Sequence, residues 1–255
     1  MHVALADYLG LRRALGHKLA EHERQLTRFV ARLDDAGVGF VAMADALAFV
    51  LDPELDPMSS NPAKRLMAVR GFTRYLSAID PRNQVPPAGL VSYRPSRRAP
   101  HIFSDDDVAA VVRAAQASTP FAFRAETLAS LIVLLAVTGM RVGEALRLDC
   151  CDVDWDDAAI KVRDTKFGKG RDVVVSVSTI DALAAYRSHR DRTKPATPRL
   201  FVSLAGTPII YSGFSLAFRR AVIAAGVGTD DQTPPRAHDL RHSYAVRTLL
   251  GWYRA

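Results

Sequence analysis

The chain has 255 residues, which allows one large domain or two modest ones, each long enough to bury a hydrophobic core. Its 34 Lys and Arg residues outnumber its 27 Asp and Glu residues, and the formal net charge of +7 is expected of a surface that meets a polyanion. The adjacent Cys150 and Cys151 exclude a disulfide framework, and the short apolar runs exclude a membrane span, so we expect a soluble, cytoplasmic protein.

The first eighty residues, 1–80, are predicted to form a small helical domain. Apolar residues at helical spacing, divided by Gly and Pro, predict helices over residues 17–35, 42–51 and 62–79. The last of these helices carries four cationic side chains, Lys64, Arg65, Arg70 and Arg74. Such a row is typical either of a solvated helix face or of contacts with a nucleic-acid backbone.

A segment rich in proline and arginine, residues 81–103, follows the helical domain and is predicted to be an interdomain linker. Three of its cations are Arg94, Arg97 and Arg98. These arginines either keep an ordinary linker soluble or follow the phosphates of a nucleic acid between the two domains.

A second domain is predicted over residues 104–255. Ser104 and the three aspartates after it are typical of a helix start, because Ser caps the first turn and acidic residues favour the positive end of the helix dipole. Aspartates at successive helical positions point in different directions. This cluster therefore does not predict a magnesium site.

The segment 138–144 reads Thr-Gly-Met-Arg-Val-Gly-Glu and follows a predicted buried helix, residues 126–137. Gly139 suits a left-handed turn that ends this helix. Arg141 is then expected at the start of a new helix, beside free backbone N–H groups that favour anions. Glu144 lies one turn later on the same face and can hold the Arg141 guanidinium in place.

Alternating and β-branched residues predict a β-hairpin with strands at 159–163 and 172–177. The glycine-rich segment between the strands carries Lys166, Lys169 and Arg171. We also predict helices over 179–190 and 212–225 and a short strand over 200–203. The chain is therefore predicted to be mainly α-helical with a small antiparallel β-sheet, an α+β fold.

The sequence His-Asp-Leu-Arg-His, residues 238–242, is predicted to lie on a last helix. His238 and Arg241 are three residues apart, so they share a face and can reach one phosphate. His238 and His242 are four apart, as in the H-E-x-x-H helix of zinc proteases, and predict a zinc hydrolase as a remote alternative. Against zinc, the acid is Asp rather than Glu, Arg241 disfavours a dication, and no third ligand stands out.

These motifs resemble those of the tyrosine recombinases, the phage-type integrases, and the resemblance covers almost the whole chain. It implies that Arg141, Lys166, His238 and Arg241 surround the scissile phosphate. Lys166 is then the general acid, with Lys169 as the alternative. The resemblance also favours DNA contacts at the cations of residues 62–79 and of the linker, and at Lys169 and Arg171.

The resemblance implies a partner and an architecture as well. The partner is double-stranded DNA, held by two domains that form a C-shaped clamp, with self-association or complete recombinase protomers on the same DNA. No metal and no nucleotide cofactor is implied, because a tyrosine hydroxyl attacks the phosphate and the phosphotyrosine conserves the bond energy for rejoining.

No nucleophile is assigned from the sequence. The resemblance implies a tyrosine well beyond Arg241, and Tyr211, Tyr244 and Tyr253 do not match that spacing. We therefore expect the 255 residues to bind DNA without cutting it, as a fragment, a shortened gene product or a subunit that receives its tyrosine from a partner. A non-catalytic DNA-binding or interfering subunit is the alternative function.

Overall fold

The computed structural model describes residues 1–52, 54, 62–91, 99–163, 170–228 and 233–254. The chain divides into two compact units, Met1–Arg97 and Arg98–Ala255. Each unit has a hydrophobic core of its own. Within these described ranges, no helix combines the length and the apolar character that crossing a membrane requires.

The first unit is helical. Its helices are α1 (His2–Ala14), α2 (Ala20–Asp35), α3 (Met43–Val50) and α4 (Pro62–Ile79). Phe29, Phe49 and Phe72 come from three of these helices, are at most 1% exposed and meet in one core. The predicted starts at residues 17 and 42 lie within three residues of the observed ones, and α4 has the predicted bounds.

Helix α1 was missed by the sequence analysis. Its buried residues Leu5, Tyr8 and Leu9 recur at helical spacing, and the helix packs against α2 and α4. Gly10, which disfavours a helix interior, weakens the local signal. Burial against the neighbouring helices outweighs that local cost.

The second unit combines helices with a small sheet. Its helices are α5 (Asp105–Ala117), α6 (Ala122–Thr138), α7 (Val142–Ala145), α8 (Val177–Arg192), α9 (Tyr211–Ala224) and α10 (Ala237–Arg254). Helix α6 packs against α5, α8, α9 and α10, and its Leu131, Ile132 and Leu135 are at most 1% exposed. The predicted start of α5 is confirmed, since Ser104 Oγ accepts the Asp107 N–H at 3.1 Å and Asp107 accepts the Ser104 N–H at 2.9 Å.

The sheet is antiparallel and has the order β1–β2–β3, with β1 at Val153–Asp154, β2 at Ala159–Val162 and β3 at Arg171–Val174. Val162 lies opposite Arg171 at the end of the β2–β3 pair. Strand β1 was not predicted. The strand predicted to run to residue 177 ends at Val174, because Ser176 caps α8 by accepting the Thr179 N–H.

The strand predicted over 200–203 is wrong. This segment forms only an isolated bridge, Val202 with Pro208, and not a ladder. Leu200 and Phe201 are fully buried, so their apolar character reflects the core rather than strand pairing. The fold class is confirmed, since the described chain is mainly helical with one small antiparallel sheet.

Candidate phosphate-binding site

A buried carboxylate, that of Glu144, joins two arginines of the second unit. Arg141 Nη1 donates to Oε1 at 2.7 Å, and Arg171 Nη2 donates to Oε2 at 2.7 Å. The Glu144 side chain is 2% exposed, whereas those of Arg141 and Arg171 are 39% and 36% exposed. The carboxylate therefore orients both guanidinium groups from within the fold, while part of each remains open to solvent.

The ionisation of Glu144 follows from these contacts. Burial by itself raises the pKa of Glu144, but hydrogen bonds from Arg171 and Arg141 outweigh it and lower the pKa from 4.5 to about 2. The carboxylate is thus ionised at neutral pH. One carboxylate then faces two guanidinium groups, and the group of three side chains keeps an excess of positive charge.

The turn before Arg141 explains how this arginine is positioned. Gly139 has φ +60° and ends α6 in the left-handed conformation, as predicted. Free backbone N–H groups at Arg141 were also predicted to favour an anion. That expectation is not supported, because α7 has only four residues and Glu144 Oε2 accepts the Arg141 N–H at 3.0 Å.

Arg241 reaches the same turn from α10. Its Nη1 donates to the carbonyl oxygen of Gly139 at 2.6 Å. Burial lowers the pKa of Arg241 most, and the positive charges of Arg141 and Arg171 lower it further. The guanidinium groups of Arg141, Arg171 and Arg241 therefore form a cluster with the Glu144 carboxylate. Such a cluster is suited to an anion.

His238 lies at the start of α10, three residues before Arg241, and the rings of His238 and His242 meet edge to face with centroids 5.0 Å apart. Burial lowers the pKa of His238 below 6.5, and His242 and Arg241 lower it further. The neutral imidazole is favoured at pH 7, a form that can accept or donate a proton. The intervening Asp239 and Leu240 are 1% exposed and point into the fold, as the helical spacing predicts.

A groove of about 610 Å³ opens between β3 and α10 beside these arginines. Arg171 and Arg241 line it together with Tyr244, Leu249 and Trp252. The last two of these residues are 54% and 73% exposed. The cationic groups therefore face an open, partly apolar surface rather than a closed cavity.

A zinc centre at His238 and His242 finds no support in the described ranges, where no group of three His, Cys, Asp or Glu residues could hold a metal ion. His242 instead contributes to the lowered pKa of His238. The two histidines belong to the surroundings of Arg241.

The structure brings together some predicted site residues and corrects the prediction for another. Arg141, Glu144, Arg171 and Arg241 form the cluster described above, and His238 lies beside Arg241. Lys166 and Lys169 lie outside the described residues, as do Arg94, Arg97 and Arg98. Sequence reasoning placed Arg171 among DNA contacts but missed its bond to Glu144, because no local pattern links residues 27 positions apart.

The cationic side chains of α4 differ in their exposure and in their hydrogen bonds. Arg65 was predicted to contact DNA, but it is 4% exposed and its Nη1 donates to the carbonyl oxygen of Asp52 at 2.8 Å. This prediction is corrected, because a guanidinium buried against a backbone carbonyl cannot also reach a phosphate outside. Lys64 and Arg74 are exposed, and Arg70 Nε donates to the Pro86 carbonyl oxygen at 2.8 Å.

The second unit thus carries a cluster of cationic side chains suited to an anion, on a mainly helical fold with one small antiparallel sheet. Residues 102–249 match the phage integrase family. The chain belongs to this family, the tyrosine recombinases.

Two relatives align over nearly the whole chain. A Sinorhizobium fredii (strain NBRC 101917 / NGR234) protein, y4rB, provisionally named an integrase/recombinase, is 38% identical over 99% of this chain and 82% of its own length. The tyrosine recombinase XerD of Mycobacterium leprae (strain TN) is 30% identical over 96% of this chain and 83% of its own length.

Solved structures share the fold. The Tn1549 transposon integrase in complex with transposon right end DNA has a TM-score of 0.62 at 16% identity, over 97% of this chain and 87% of that one. A lambda integrase dimer bound to a COC′ core site has a TM-score of 0.62 at 17% identity, over 96% of this chain and 69% of that one.

Proposed function

We propose that this chain binds duplex DNA and holds one phosphodiester of the backbone among Arg141, Arg171 and Arg241. The reaction served is metal-independent strand breaking and rejoining through a phosphotyrosine, in site-specific recombination or integration. Family membership supports recombination as the process. The observation that carries the proposal is the Glu144 carboxylate, which orients two of the three guanidinium groups from a buried position.

The proposed chemistry follows from the charges. In phosphoryl transfer, negative charge spreads over the non-bridging oxygens of the phosphate, and guanidinium forks can bind those oxygens through paired hydrogen bonds. Arg141 donates one N–H to Glu144, and Arg241 donates one N–H to the Gly139 carbonyl oxygen. Because these bonds hold the donors before DNA arrives, little reorganisation is needed when charge develops.

Proton transfer is assigned to His238 and to one lysine of the segment between β2 and β3. The lowered pKa of His238 keeps its imidazole neutral, so it can accept a proton from an attacking hydroxyl. Lys166 is the proposed acid for the departing 5′ oxygen, and Lys169 is the alternative. In its protonated form, Lys166 as the proposed acid also adds a positive charge to the phosphate site.

None of the three candidate tyrosines is proposed as the nucleophile. Tyr244 lies on α10, where its ring packs against Gly139. Tyr211 begins α9, and Tyr253 is 92% exposed near the end of α10. The 255 residues by themselves are therefore proposed to bind DNA without cleaving it, and in a mixture with complete recombinases to occupy sites as a non-catalytic subunit.

Covalent capture tests the proposal. A nicked duplex that traps phosphotyrosine should give no SDS-resistant adduct with the 255-residue chain, but a complex that dissociates as salt is raised. An adduct would contradict the assignment of the tyrosines. Failure to bind duplex DNA at low salt would overturn the proposed function as a whole.

A further inference from the structure

Asp152 is a buried carboxylate of the second unit that has no part in the site described so far. It ends a short 3-10 helix, Cys150–Asp152, directly before β1, and its side chain is 4% exposed. Its Oδ2 accepts the Asp149 N–H at 2.9 Å, and its Oδ1 forms an ion pair with Arg163. Because a buried carboxylate is costly to leave unpaired, this contact holds the Arg163 guanidinium against the fold.

Arg163 directly follows β2, at the end where the β2–β3 ladder closes. Val162 and Arg171 are the last partners of this ladder, so Arg163 lies one residue from the partner of Arg171. Each of the two arginines is bonded to a buried carboxylate, Arg163 to Asp152 and Arg171 to Glu144 at 2.7 Å. The closing end of the ladder is therefore held to the second unit on both strands.

The two carboxylates line a common cavity. It has a volume of about 180 Å³, and Glu144, Asp152 and Arg163 are among its lining residues. Asp149 and Arg199 line it as well and pair with each other at 3.0 Å. The two buried contacts therefore lie next to each other, around one small cavity lined mainly by charged side chains.

Strand β3 depends on β2 for its position. It is an edge strand of four residues, and none of these residues is fully buried. Two short strands are marginally stable by themselves, and the ends of such elements open most readily. A contact at Arg163, next to the last pair of the ladder, keeps Arg171 opposite Val162 and so within reach of Glu144.

We propose that Asp152 is a positioning residue of the phosphate site, which holds the closing end of the β2–β3 ladder through Arg163 and so keeps the Arg171 guanidinium at Glu144. The inference rests on the proposed function, in which Arg171 is one of the arginines that bind the phosphodiester. Asp152 touches neither the phosphate nor the reacting atoms. Its effect is to reduce the reorganisation that binding requires.

The pKa of Glu144 gives a test that needs no DNA. Burial raises this pKa, and the Arg171 hydrogen bond is the largest of the causes that lower it to about 2. Asp152→Asn should raise the pKa of Glu144, followed by NMR of the carboxyl carbon, whereas loss of a nearby negative charge alone would lower it. Asp152→Glu, which restores a carboxylate for Arg163, should bring the pKa back toward about 2. An unchanged or lower pKa in Asp152→Asn would overturn the inference.

Binding of the full chain to a random-sequence duplex tests the consequence for the phosphate site. The logarithm of the binding constant falls with the logarithm of the salt concentration by about 0.9 for each phosphate neutralised. Asp152→Asn and Arg171→Gln should each lower this slope by about that amount and weaken binding. By charge alone, Asp152→Asn would instead strengthen binding, because it removes a negative charge.

The double variant Asp152→Asn/Arg171→Gln shows whether Asp152 acts through Arg171. It should bind DNA no more weakly than Arg171→Gln, because two changes on one contact do not add. Tighter binding by Asp152→Asn, or losses that add in full in the double variant, would overturn the inference.

Asp156→Asn is the matched control. Asp156 is exposed in the turn between β1 and β2 of the same sheet, and its substitution changes the formal charge by the same amount. It should leave the pKa of Glu144 and the salt slope unchanged. Equal effects of Asp152→Asn and Asp156→Asn would assign the result to charge rather than to position, against the inference.

Further outcomes separate this inference from the proposed function. If the unaltered chain does not bind duplex DNA, or if Arg171→Gln binds it normally, the proposed role of Arg171 and the inference are both overturned. If Arg171→Gln weakens binding and Asp152→Asn does not, the inference alone is overturned. A thermal unfolding midpoint should confirm that each variant is folded. If Asp152→Asn does not fold, Asp152→Asn/Arg163→Gln, which leaves the net charge unchanged, replaces it with the same expected results.

Discussion

Arg241 donates to the carbonyl oxygen of Gly139 at 2.6 Å, across 102 positions of the chain. This bond fastens α10 to the turn that places Arg141. The ring of Tyr244, one turn further along α10, packs against Gly139 at the same point. Gly139 thus positions both Arg141 and Arg241, which belong to motifs far apart in the sequence.

Gly139→Ala is expected to destabilise the second unit for two reasons. The residue has φ +60°, and a Cβ atom would lie 2.4 Å from Tyr244 Cδ1. Strain at positive φ costs about 1–3 kcal/mol, and the clash adds to it. The free energy of unfolding in denaturant measures the sum.

Gly226→Ala is the matched control for that substitution. Gly226 has φ +67°, but nothing lies within 4 Å of a Cβ atom there. It should show the backbone strain without the clash. Equal losses in the two variants would mean that Tyr244 does not restrain the turn.

Glu144→Gln should lower the free energy of unfolding by about 2–3 kcal/mol, because the neutral amide leaves Arg141 and Arg171 facing each other without a charge between them. Affinity for duplex DNA should be reduced less than stability is, because loss of the carboxylate increases the net positive charge of the site. Glu23→Gln, which removes an exposed carboxylate paired with Arg13, serves as the control. A stable Glu144→Gln variant would show that the carboxylate is not required to orient the arginines.

The stability conferred by Glu144 should depend on pH. Its pKa is about 2 in the folded chain against an ordinary 4.5, so the folded state binds its proton less readily than the unfolded state. The contribution of about 2–3 kcal/mol is therefore complete above pH 4.5 and is lost as the pH falls toward 2. The difference in unfolding free energy between the unaltered chain and Glu144→Gln should shrink over that window. A constant difference would contradict the ion pair.

The imidazole of His238 should titrate below pH 6.5, and NMR of the ring protons can follow it. Burial is the main cause, so substitution of a neighbour restores the pKa only in part. His242→Gln and Arg241→Gln should each raise the pKa of His238, because His242 and Arg241 both lower it. Arg236→Gln should change it least. A pKa at or above 6.5 in the unaltered chain would contradict the burial of the ring.

Substitution of Arg65 should affect stability, whereas substitution of Arg74 should affect DNA binding. Arg65→Gln removes a buried bond to the Asp52 carbonyl, so it should lower the free energy of unfolding by about 1–3 kcal/mol. Arg74→Gln should leave stability unchanged and weaken DNA binding. The opposite result would restore Arg65 as a DNA contact.

Local signals in the sequence predicted local structure well. Ser104 marks a helix start and Gly139 a helix end because a cap depends on residues within one turn. Pro62 likewise begins α4, where its missing N–H costs nothing. The Arg141–Glu144 pair was also predictable, since the two residues are three apart.

Features that depend on distant contacts were missed or wrong. The segment 200–203 has the composition of a strand, but in the described part of the chain it forms only an isolated bridge and no ladder. The burial of Arg65 depends on the Asp52 carbonyl, and the place of Arg171 in the site depends on Glu144. Such contacts depend on tertiary packing, which cannot be read from a short stretch of sequence.

The cluster at Glu144 draws its arginines from the turn before α7, from β3 and from α10, so none of these segments has the site by itself. Anion affinity therefore arises only with cooperative folding of the second unit. By mass action, any polyanion that binds the cluster raises the melting temperature of that whole unit. The thermal shift produced by a short duplex therefore reports the affinity of the assembled site, and it should grow as the duplex concentration is raised.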